Sequence, residues 1–232
     1  MNPDTTTRLK KLNTALAQAG LDAVALNPGP TLTYLTGLKF HLMERPVVLL
    51  VAQGKDPVIV LPELELPKAN LFPYKVNAFA YSENPADWDS VFHKAVASLG
   101  LDGKKVGVEP RQLRLLEFRH VKVGAPEADF PDASEALASL RLRKDESEVE
   151  AMKRAVKVAQ DALEATIPFI KVGLTEKDIA AELNVQLLKH GSESEIPFPP
   201  IVSAGPNSAN PHASPSDRKL QHGDLLVVDW GA

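Results

Sequence analysis

Cysteine is absent from all 232 residues of the sequence. Disulfide bonds and thiolate metal sites are therefore excluded, which leaves carboxylate and imidazole groups as the available metal ligands. An excess of positive charge is also lacking, because 26 Lys and Arg residues stand against 30 Asp and Glu residues, for a formal net charge of −4. Without a basic surface to bind phosphates, nucleic acid is not an expected partner.

Long hydrophobic runs are missing as well. No segment approaches the length of a membrane span, and residues 1–19 carry charged side chains where a signal peptide would have an apolar core. We therefore expect no membrane partner and a cytoplasmic location. The 44% of hydrophobic residues is ample for a core, and the chain length favours two domains.

Several common catalytic motifs are also absent. The glycines form neither a dinucleotide fingerprint nor a phosphate loop, and no Gly-x-Ser-x-Gly elbow marks a serine hydrolase. No pair of histidines has the His-x-x-x-His spacing of a helical zinc site. Five histidines have no sequence context that suggests a function: His41, His93, His120, His190 and His222.

The first part of the chain alternates predicted helices with predicted strands. Helices are expected over residues 5–20, 87–99 and 111–119, and strands over residues 21–26, 46–51, 57–61, 77–81 and 105–108. The two apolar runs at 46–51 and 57–61 are joined by a short polar turn, which predicts a β-hairpin inside a covered sheet. Such alternation is typical of an α/β domain with helices on both faces of a mixed sheet. We expect this domain to end near Asp132, and Tyr34 to pack on its core within a short helical turn.

The next segment is predicted to be mostly helical. Residues 134–140 form one helix, and the charged run 141–148 is expected to be the solvated start of a long helix that ends near Pro168. Apolar side chains recur along that long helix at three- and four-residue spacing, which predicts packing in a core: Val149, Met152, Val156, Ala159 and Leu163. Thr175 and Asp178 have capping-box spacing at the start of a further helix.

The C-terminal region combines stiff loops with apolar strands. Six prolines between Pro197 and Pro215 predict an irregular loop, interrupted by a strand at 201–204. Residues 225–228 read as a buried strand, and Asp229 continues its alternation. Burying a lone carboxylate costs several kcal/mol, so Asp229 should reach water, a cation, a metal or several donors.

The motifs of this region together resemble one family. They are Ser203-x-Gly205-x-Asn207, Pro211-His212, Asp217-Arg218, Gly223-Asp224 and Val227-Val228-Asp229-x-Gly231. This pattern resembles the pita-bread metallopeptidases, in particular their aminopeptidase P and prolidase (Xaa-Pro dipeptidase) branch. Arg141 and residues 144–148 are similar to the entry of the family's catalytic domain, and residues 173–180 are similar to the start of its second helix. The resemblance implies a creatinase-like α/β domain over residues 1–132, followed by part of an α+β pita-bread domain over residues 133–232.

The resemblance also implies a site. Asp229 takes the place of the first of five ligands to two divalent metal ions, manganese, cobalt or zinc, and His212 takes the place of a histidine that contacts the substrate beside them. The family cleaves the peptide bond before a proline, so the expected partner is a proline-containing peptide. The other four ligands lie in segments after the first Asp, and Ala232 stands three positions after Asp229. We therefore expect the 232-residue chain alone to bind no metal and to have little activity.

Neighbouring polar residues have more modest predicted roles. Asp224 is expected to cap the turn before the last strand, and Asp217 and Arg218 are expected to order the loop by pairing with each other or with nearby backbone. The last strand is expected to lack the partner strand that the family would supply, which leaves an exposed apolar edge that favours either a homodimer or local disorder.

Two other functions stay open at this point. One is a pita-bread module that binds peptides without metals, although such a module would not need both Asp229 and His212. The other is a creatinase-like hydrolase that cleaves a small guanidino compound without metal ions.

Overall fold

The computed structural model describes residues 5–232, which form two compact units, one up to Arg143 and the other over Lys144–Ala232. Residues 1–4, the beginning of the segment considered above for a signal peptide, lie outside the described residues. Over the described part of the chain, no helix is both long and apolar enough to cross a membrane.

The first unit is a five-stranded mixed sheet with helices. Its elements are α1 Thr5–Gln18, β1 Ala23–Leu26, α2 Pro30–Thr36, β2 Val48–Ala52, β3 Val58–Pro62, α3 Leu66–Ala69, β4 Asn77–Tyr81, α4 Trp88–Ser98, β5 Val106–Val108, α5 Leu115–Gly124 and α6 Ser134–Leu142. The strands follow the order β4-β3-β2-β1-β5, and the predicted hairpin is the antiparallel pair β2–β3. The β1–β5 and β3–β4 pairs are parallel.

Two hydrophobic clusters cover the two faces of this sheet. Every residue of β1, β2 and β3 is buried, as expected for strands that are covered on both sides. On one face the sheet packs with α1, α2 and α6, and on the other with α4 and α5. The predicted α/β domain with helices on both faces is thus confirmed.

The C-terminal bounds of this unit differ from the prediction. The sequence suggested a boundary at Asp132, but α6 packs on the core of the first unit through the buried Leu137 and Leu140. The compact unit therefore extends to Arg143.

The helix expected from residue 111 begins only at Leu115, because the amides of Gln112 and Leu113 bond the carbonyl of Glu109 in a turn.

The second unit consists of α7 Glu146–Thr166, α8 Glu176–Lys189, β6 Ile201–Ala204 and β7 Leu226–Asp229, with a 3₁₀ helix over Gly205–Ala209. Both long helices begin with a capping box, Asp145 with Glu148 in α7 and Thr175 with the predicted Asp178 in α8. In each box the side chains satisfy backbone amides that would otherwise be unpaired.

Helix α8 forms the core of the second unit. Its buried Ile179 contacts the hydrophobic cluster of Val202 and Ala204 in β6. Its buried Leu183 and Leu187 form a second cluster with Ala162 of α7.

Two predictions about burial in this unit are wrong. The α7 stripe was expected to pack in a core, yet its first three residues, Val149, Met152 and Val156, are 38%, 54% and 55% exposed. The last two, Ala159 and Leu163, are partly buried. The periodicity correctly predicts a helix with an apolar face, but burial depends on what covers that face. The last strand was expected to be buried, whereas Leu225 is 70% exposed and the burial of β7 alternates. One face of β7 packs on the core, and the opposite face does not.

Candidate active site

The strand pair β6–β7 positions Asp229. The two strands are antiparallel, with Ile201 opposite Asp229 and Val202 opposite Val228. Directly opposed residues point to the same face of a sheet. Val202 and Val228 therefore face the core beneath α8, and Asp229 lies on the other face beside Ile201. Strand β6 pairs with all four residues of β7 along one edge, and over residues 5–232 no strand pairs with its other edge, so the predicted open edge is present.

A cavity of about 450 Å³ lies on the face that carries Asp229. Asp229 and His212, which are seventeen positions apart in the sequence, both line this cavity. Its remaining wall is mostly apolar and consists of Phe198, Pro199, Pro200, Ile201, Ala213, Ser214 and Pro215. The proline-rich loop thus encloses the space next to the two polar side chains.

The Asp229 carboxylate fits the place of a metal ligand. It is exposed, and within residues 5–232 it makes no hydrogen bond or ion pair that would occupy its oxygens. A carboxylate oxygen is a suitable ligand for a hard or borderline divalent ion. Across the described residues, however, no three His, Asp or Glu side chains are close enough to hold a metal together. Asp229 can therefore contribute one ligand to a site, and these residues alone do not complete it.

Glu176 is a buried carboxylate next to the site that the sequence reasoning missed. It is the first residue of α8, and its side chain is fully buried. Oxygen Oε1 accepts hydrogen bonds from the Ala204 amide at 2.7 Å and from Asn207 Nδ2 at 3.0 Å. Oxygen Oε2 accepts from the amide of Ser216 at 2.9 Å and from its hydroxyl at 2.6 Å. Four donors from three separate segments thus converge on one side chain.

These donors also determine the charge state of Glu176. Burial by itself would raise the pKa of the carboxyl, but the hydrogen bonds from Ser216, Ala204 and Asn207 outweigh it. The pKa of Glu176 therefore lies below its ordinary value, so the group is ionised at neutral pH.

A second charged pair ties the loop to the turn before β7. Arg218 donates from Nη1 to Asp224 Oδ2 at 2.6 Å and from Nη2 to Asp224 Oδ1 at 2.8 Å. These bonds lower the pKa of Asp224. A Cβ on Gly205 would lie 2.5 Å from both Arg218 Nη2 and Asp224 Oδ1, and the φ angle of Gly205 is +53°. Glycine is therefore needed at this point of the turn.

The predicted roles of the loop residues are partly corrected. Asp217 and Arg218 do not pair with each other: Asp217 pairs with Lys177, and Arg218 pairs with Asp224. The alternative, a bond to nearby backbone, holds for Arg218, which donates to the carbonyl of Lys219. Asp224 does accept a hydrogen bond from the Gln221 amide, as expected for a residue that caps the turn.

Two other side chains considered from the sequence, Tyr34 and His120, lie in the first unit and serve its packing. Tyr34 packs on the core, and its hydroxyl donates to the carbonyl of Leu140. His120 stacks on Phe92 with ring centroids 4.8 Å apart and pairs with Asp89.

Comparisons with known proteins agree with this architecture. Residues 8–143 match the family described as Creatinase/Prolidase N-terminal domain. Residues 150–232 match Metallopeptidase family M24. The chain belongs to the creatinase/prolidase family, and its second unit is part of a pita-bread metallopeptidase domain.

Relatives of known name or structure cover nearly the whole chain. The crystal structure of a prolidase from Thermococcus sibiricus has a TM-score of 0.89 and 26% identity, covering 100% of this chain and 62% of that one. A protein of Mycobacterium tuberculosis named "Probable dipeptidase PepE" is 33% identical over 97% of this chain and 58% of its own length. An Xaa-Pro dipeptidase of Lactobacillus delbrueckii is 26% identical over 96% of this chain and 61% of its own length.

The chain therefore spans about six tenths of the length of these relatives. Neither the matches nor the fold assign a role to His212 or Asp229.

Proposed function

We propose that this chain is part of a metallopeptidase that hydrolyses the peptide bond before a proline, as an Xaa-Pro dipeptidase or an Xaa-Pro aminopeptidase. The observation that carries the proposal is the shared cavity, in which an exposed carboxylate and an exposed imidazole face the same space. The names of the relatives, prolidase and Xaa-Pro dipeptidase, support the choice of substrate.

In this function Asp229 would supply one oxygen ligand to the metal centre. Divalent ions of such a centre, with manganese, cobalt or zinc as candidates, lower the pKa of bound water so that hydroxide is available near neutral pH. The rigid β6–β7 pair holds the Asp229 carboxylate toward the cavity. Because Asp229 makes no competing ion pair within the described residues, its oxygens need not leave another partner to bind a metal.

His212 would contact the substrate. An imidazole N–H at the edge of the cavity can donate a hydrogen bond to the carbonyl oxygen of the scissile bond, and it can stabilise the negative charge that develops there. Donors of this kind contribute about 2.7–4 kcal/mol to lowering the barrier. The apolar wall around His212 suits the ring of a proline or another apolar side chain.

The 232 residues by themselves should be inactive. The described residues contain no cluster of three metal-ligating side chains, so Asp229 alone would have to hold an ion. A lone carboxylate binds divalent ions weakly, and two ions need a larger ligand set. A cytoplasmic location and a homodimeric assembly stay predictions from the sequence.

The test uses a form of the protein that carries a complete ligand set. We expect it to hydrolyse Xaa-Pro peptides in a metal-dependent manner, with Asp229→Asn losing both bound metal and activity. His212→Ala should retain metal but lower kcat by about 100- to 1,000-fold. His222→Ala and Asp217→Asn are matched controls, because both side chains are exposed and neither lines the cavity.

The same assay separates the alternatives. A dipeptide and a longer Xaa-Pro peptide distinguish dipeptidase from aminopeptidase activity. Binding of a peptide without cleavage would favour the metal-free binding module. Cleavage of a guanidino compound without metal would favour a creatinase-like hydrolase. Either result would refute the peptidase proposal.

A further inference from the structure

Glu176 closes the loop that carries His212. Two of the residues that donate to Glu176, Asn207 and Ser216, lie on either side of His212 in the sequence. Asn207 Nδ2 also donates to Ser216 Oγ at 3.3 Å, so the two ends of the loop meet directly at the carboxylate. A third donor, the Ala204 amide, anchors the same carboxylate to the end of β6. Glu176 therefore joins the base of the loop to the strand that pairs with β7.

Further local hydrogen bonds connect Asn207 to the backbone of His212. The Asn210 amide donates to the carbonyl of Asn207, and the His212 amide donates to Asn210 Oδ1 at 3.0 Å. The Ala213 amide donates in turn to the carbonyl of Asn210. The backbone of His212 is thus linked in two steps to Asn207, and Asn207 is bound to Glu176.

Burial of the Glu176 carboxylate is energetically unfavourable unless its hydrogen bonds compensate for the lost hydration. Transfer of an ion out of water costs several kcal/mol unless well-placed donors compensate. Here four donors converge on the group, and their hydrogen bonds are the charge-assisted kind that constrain geometry most strongly. An exposed pair, Lys177 with Asp217, already links the start of α8 to the same segment at the surface. The buried carboxylate adds directional contacts that this solvated pair cannot provide.

We propose that Glu176 is a positioning residue for His212: it fixes both ends of the 207–216 loop, and this holds the imidazole at the rim of the cavity that contains Asp229. Glu176 does not line that cavity, so it acts through the loop and not on the substrate. The functional part of the inference rests on the proposed contact between His212 and the substrate. The structural part, that Glu176 orders the 207–216 loop, is independent of that contact.

The first experiment measures loop order in the 232-residue chain by NMR. Glu176→Gln keeps the size of the side chain but places an NH₂ group against backbone amides that need an acceptor. We expect backbone order parameters for residues 208–215 to fall from about 0.85 to below about 0.6. The Trp230 indole N–H, which donates to the carbonyl of Ala159, reports that the second unit remains folded. Lys177→Ala is the matched control, and we expect it to leave the loop order unchanged.

A folded Glu176→Gln variant with an unchanged loop would overturn the inference. If Glu176→Gln loses the Trp230 signal, the second unit is unfolded in that variant. Asn207→Ala and Ser216→Ala then test the proposal, because each removes a donor at one end of the loop and leaves the carboxylate in place. Loosening of residues 208–215 in these folded variants would support the positioning role. Unfolding of the second unit in all three variants would overturn it, since Glu176 would then be a general requirement for the fold.

The second experiment uses the form with a complete ligand set. We expect Glu176→Gln to lower kcat/KM by about 10- to 100-fold, since misplacement by about 1 Å can cost that much. The double variant Glu176→Gln/His212→Ala should lose no more than His212→Ala alone, because the positioning effect acts through the imidazole. Additive losses would contradict this mechanism. If His212→Ala by itself leaves activity unchanged, the proposed function of His212 fails, while the NMR result still decides whether Glu176 orders the loop.

Discussion

Replacement of Gly205 by alanine would test the turn that follows β6. Gly205 has a φ angle of +53°, in the left-handed region, where an alanine costs about 1–2 kcal/mol. The added Cβ would also lie 2.5 Å from both Arg218 Nη2 and Asp224 Oδ1, closer than non-bonded atoms approach. The bidentate Arg218–Asp224 pair would therefore have to open or shift.

The structure gives a magnitude for this clash. The side chains of Arg218 and Asp224 are 22% and 13% exposed, so their hydrogen bonds are shielded from water. Loss of one hydrogen bond between charged groups costs about 1.5–3 kcal/mol. Adding the backbone cost of about 1–2 kcal/mol, we expect Gly205→Ala to lower the free energy of unfolding of the second unit by about 2.5–5 kcal/mol.

The chain offers a matched control in Gly223. Its φ angle is +85°, and a Cβ there would meet nothing within 4 Å. Gly223→Ala should therefore cost only the backbone term, about 1–2 kcal/mol. Urea unfolding can follow the fluorescence of Trp230 in a Trp88→Phe background, which leaves a single tryptophan in the second unit. Equal losses in the two variants would refute the reasoning about the Arg218–Asp224 pair.

A double-mutant cycle isolates the clash itself. In a background that carries Arg218→Ala and Asp224→Ala, the atoms that crowd the new Cβ are absent. Gly205→Ala should then cost about as much as Gly223→Ala does, within the 0.5 kcal/mol to which independent effects add. If Gly205→Ala instead lowers the free energy of unfolding as much in this background as in the unmodified chain, the loss comes from the backbone conformation and not from the Arg218–Asp224 pair.

Three further predictions concern other parts of the chain. The pKa of Glu176 lies below its ordinary value of 4.5, so the ionised carboxylate stabilises the fold fully above that pH. This stabilisation is lost as the pH falls through the pKa of the folded state. In an acid titration of stability, Glu176→Gln should therefore lose less stability on acidification than the unmodified chain does. In the first unit, Gly124→Ala should cost about 1–3 kcal/mol by overpacking, because its Cβ would lie 2.7 Å from Val96 Cβ, and adding Val96→Ala should recover part of it in urea unfolding. Met152→Gln on the exposed face of α7 should change stability by less than about 0.5 kcal/mol, whereas Leu183→Gln, at a fully buried position of α8, should prevent cooperative folding of the second unit, as circular dichroism would show.

Local sequence signals predicted most of the secondary structure. The hairpin β2–β3 follows from two apolar runs and a polar turn, and the capping box at Thr175 follows from side chains three positions apart. The exposure of the α7 stripe could not be predicted, because periodicity indicates an apolar face and says nothing about its neighbours. The boundary near Asp132 was misplaced for the same reason, since only the packing of α6 assigns it to the first unit.

The candidate site was predictable only in part. His212 and Asp229 stand out through the motif that surrounds them, and the structure places both at one cavity. Glu176 lies within the 173–180 motif, but that motif indicates only the start of a helix, because the partners of Glu176, Ala204 and Ser216, lie 28 and 40 positions away. Its sequence context, the charged first turn of a helix, is typical of a solvated carboxylate, and tertiary structure alone reveals the donors around it.

The β6–β7 register has a consequence for how this domain tolerates insertions and deletions. Side chains alternate between the two faces of a strand, so removal of a single residue within β7 would turn the Asp229 carboxylate toward α8 and would place Trp230 at the position that faces the cavity. Changes of length in the connection between the strands leave this alternation intact. The spacing within the short strand must therefore stay constant for the acidic side chain to face solvent, whereas the length of the connection affects only the loop that carries His212.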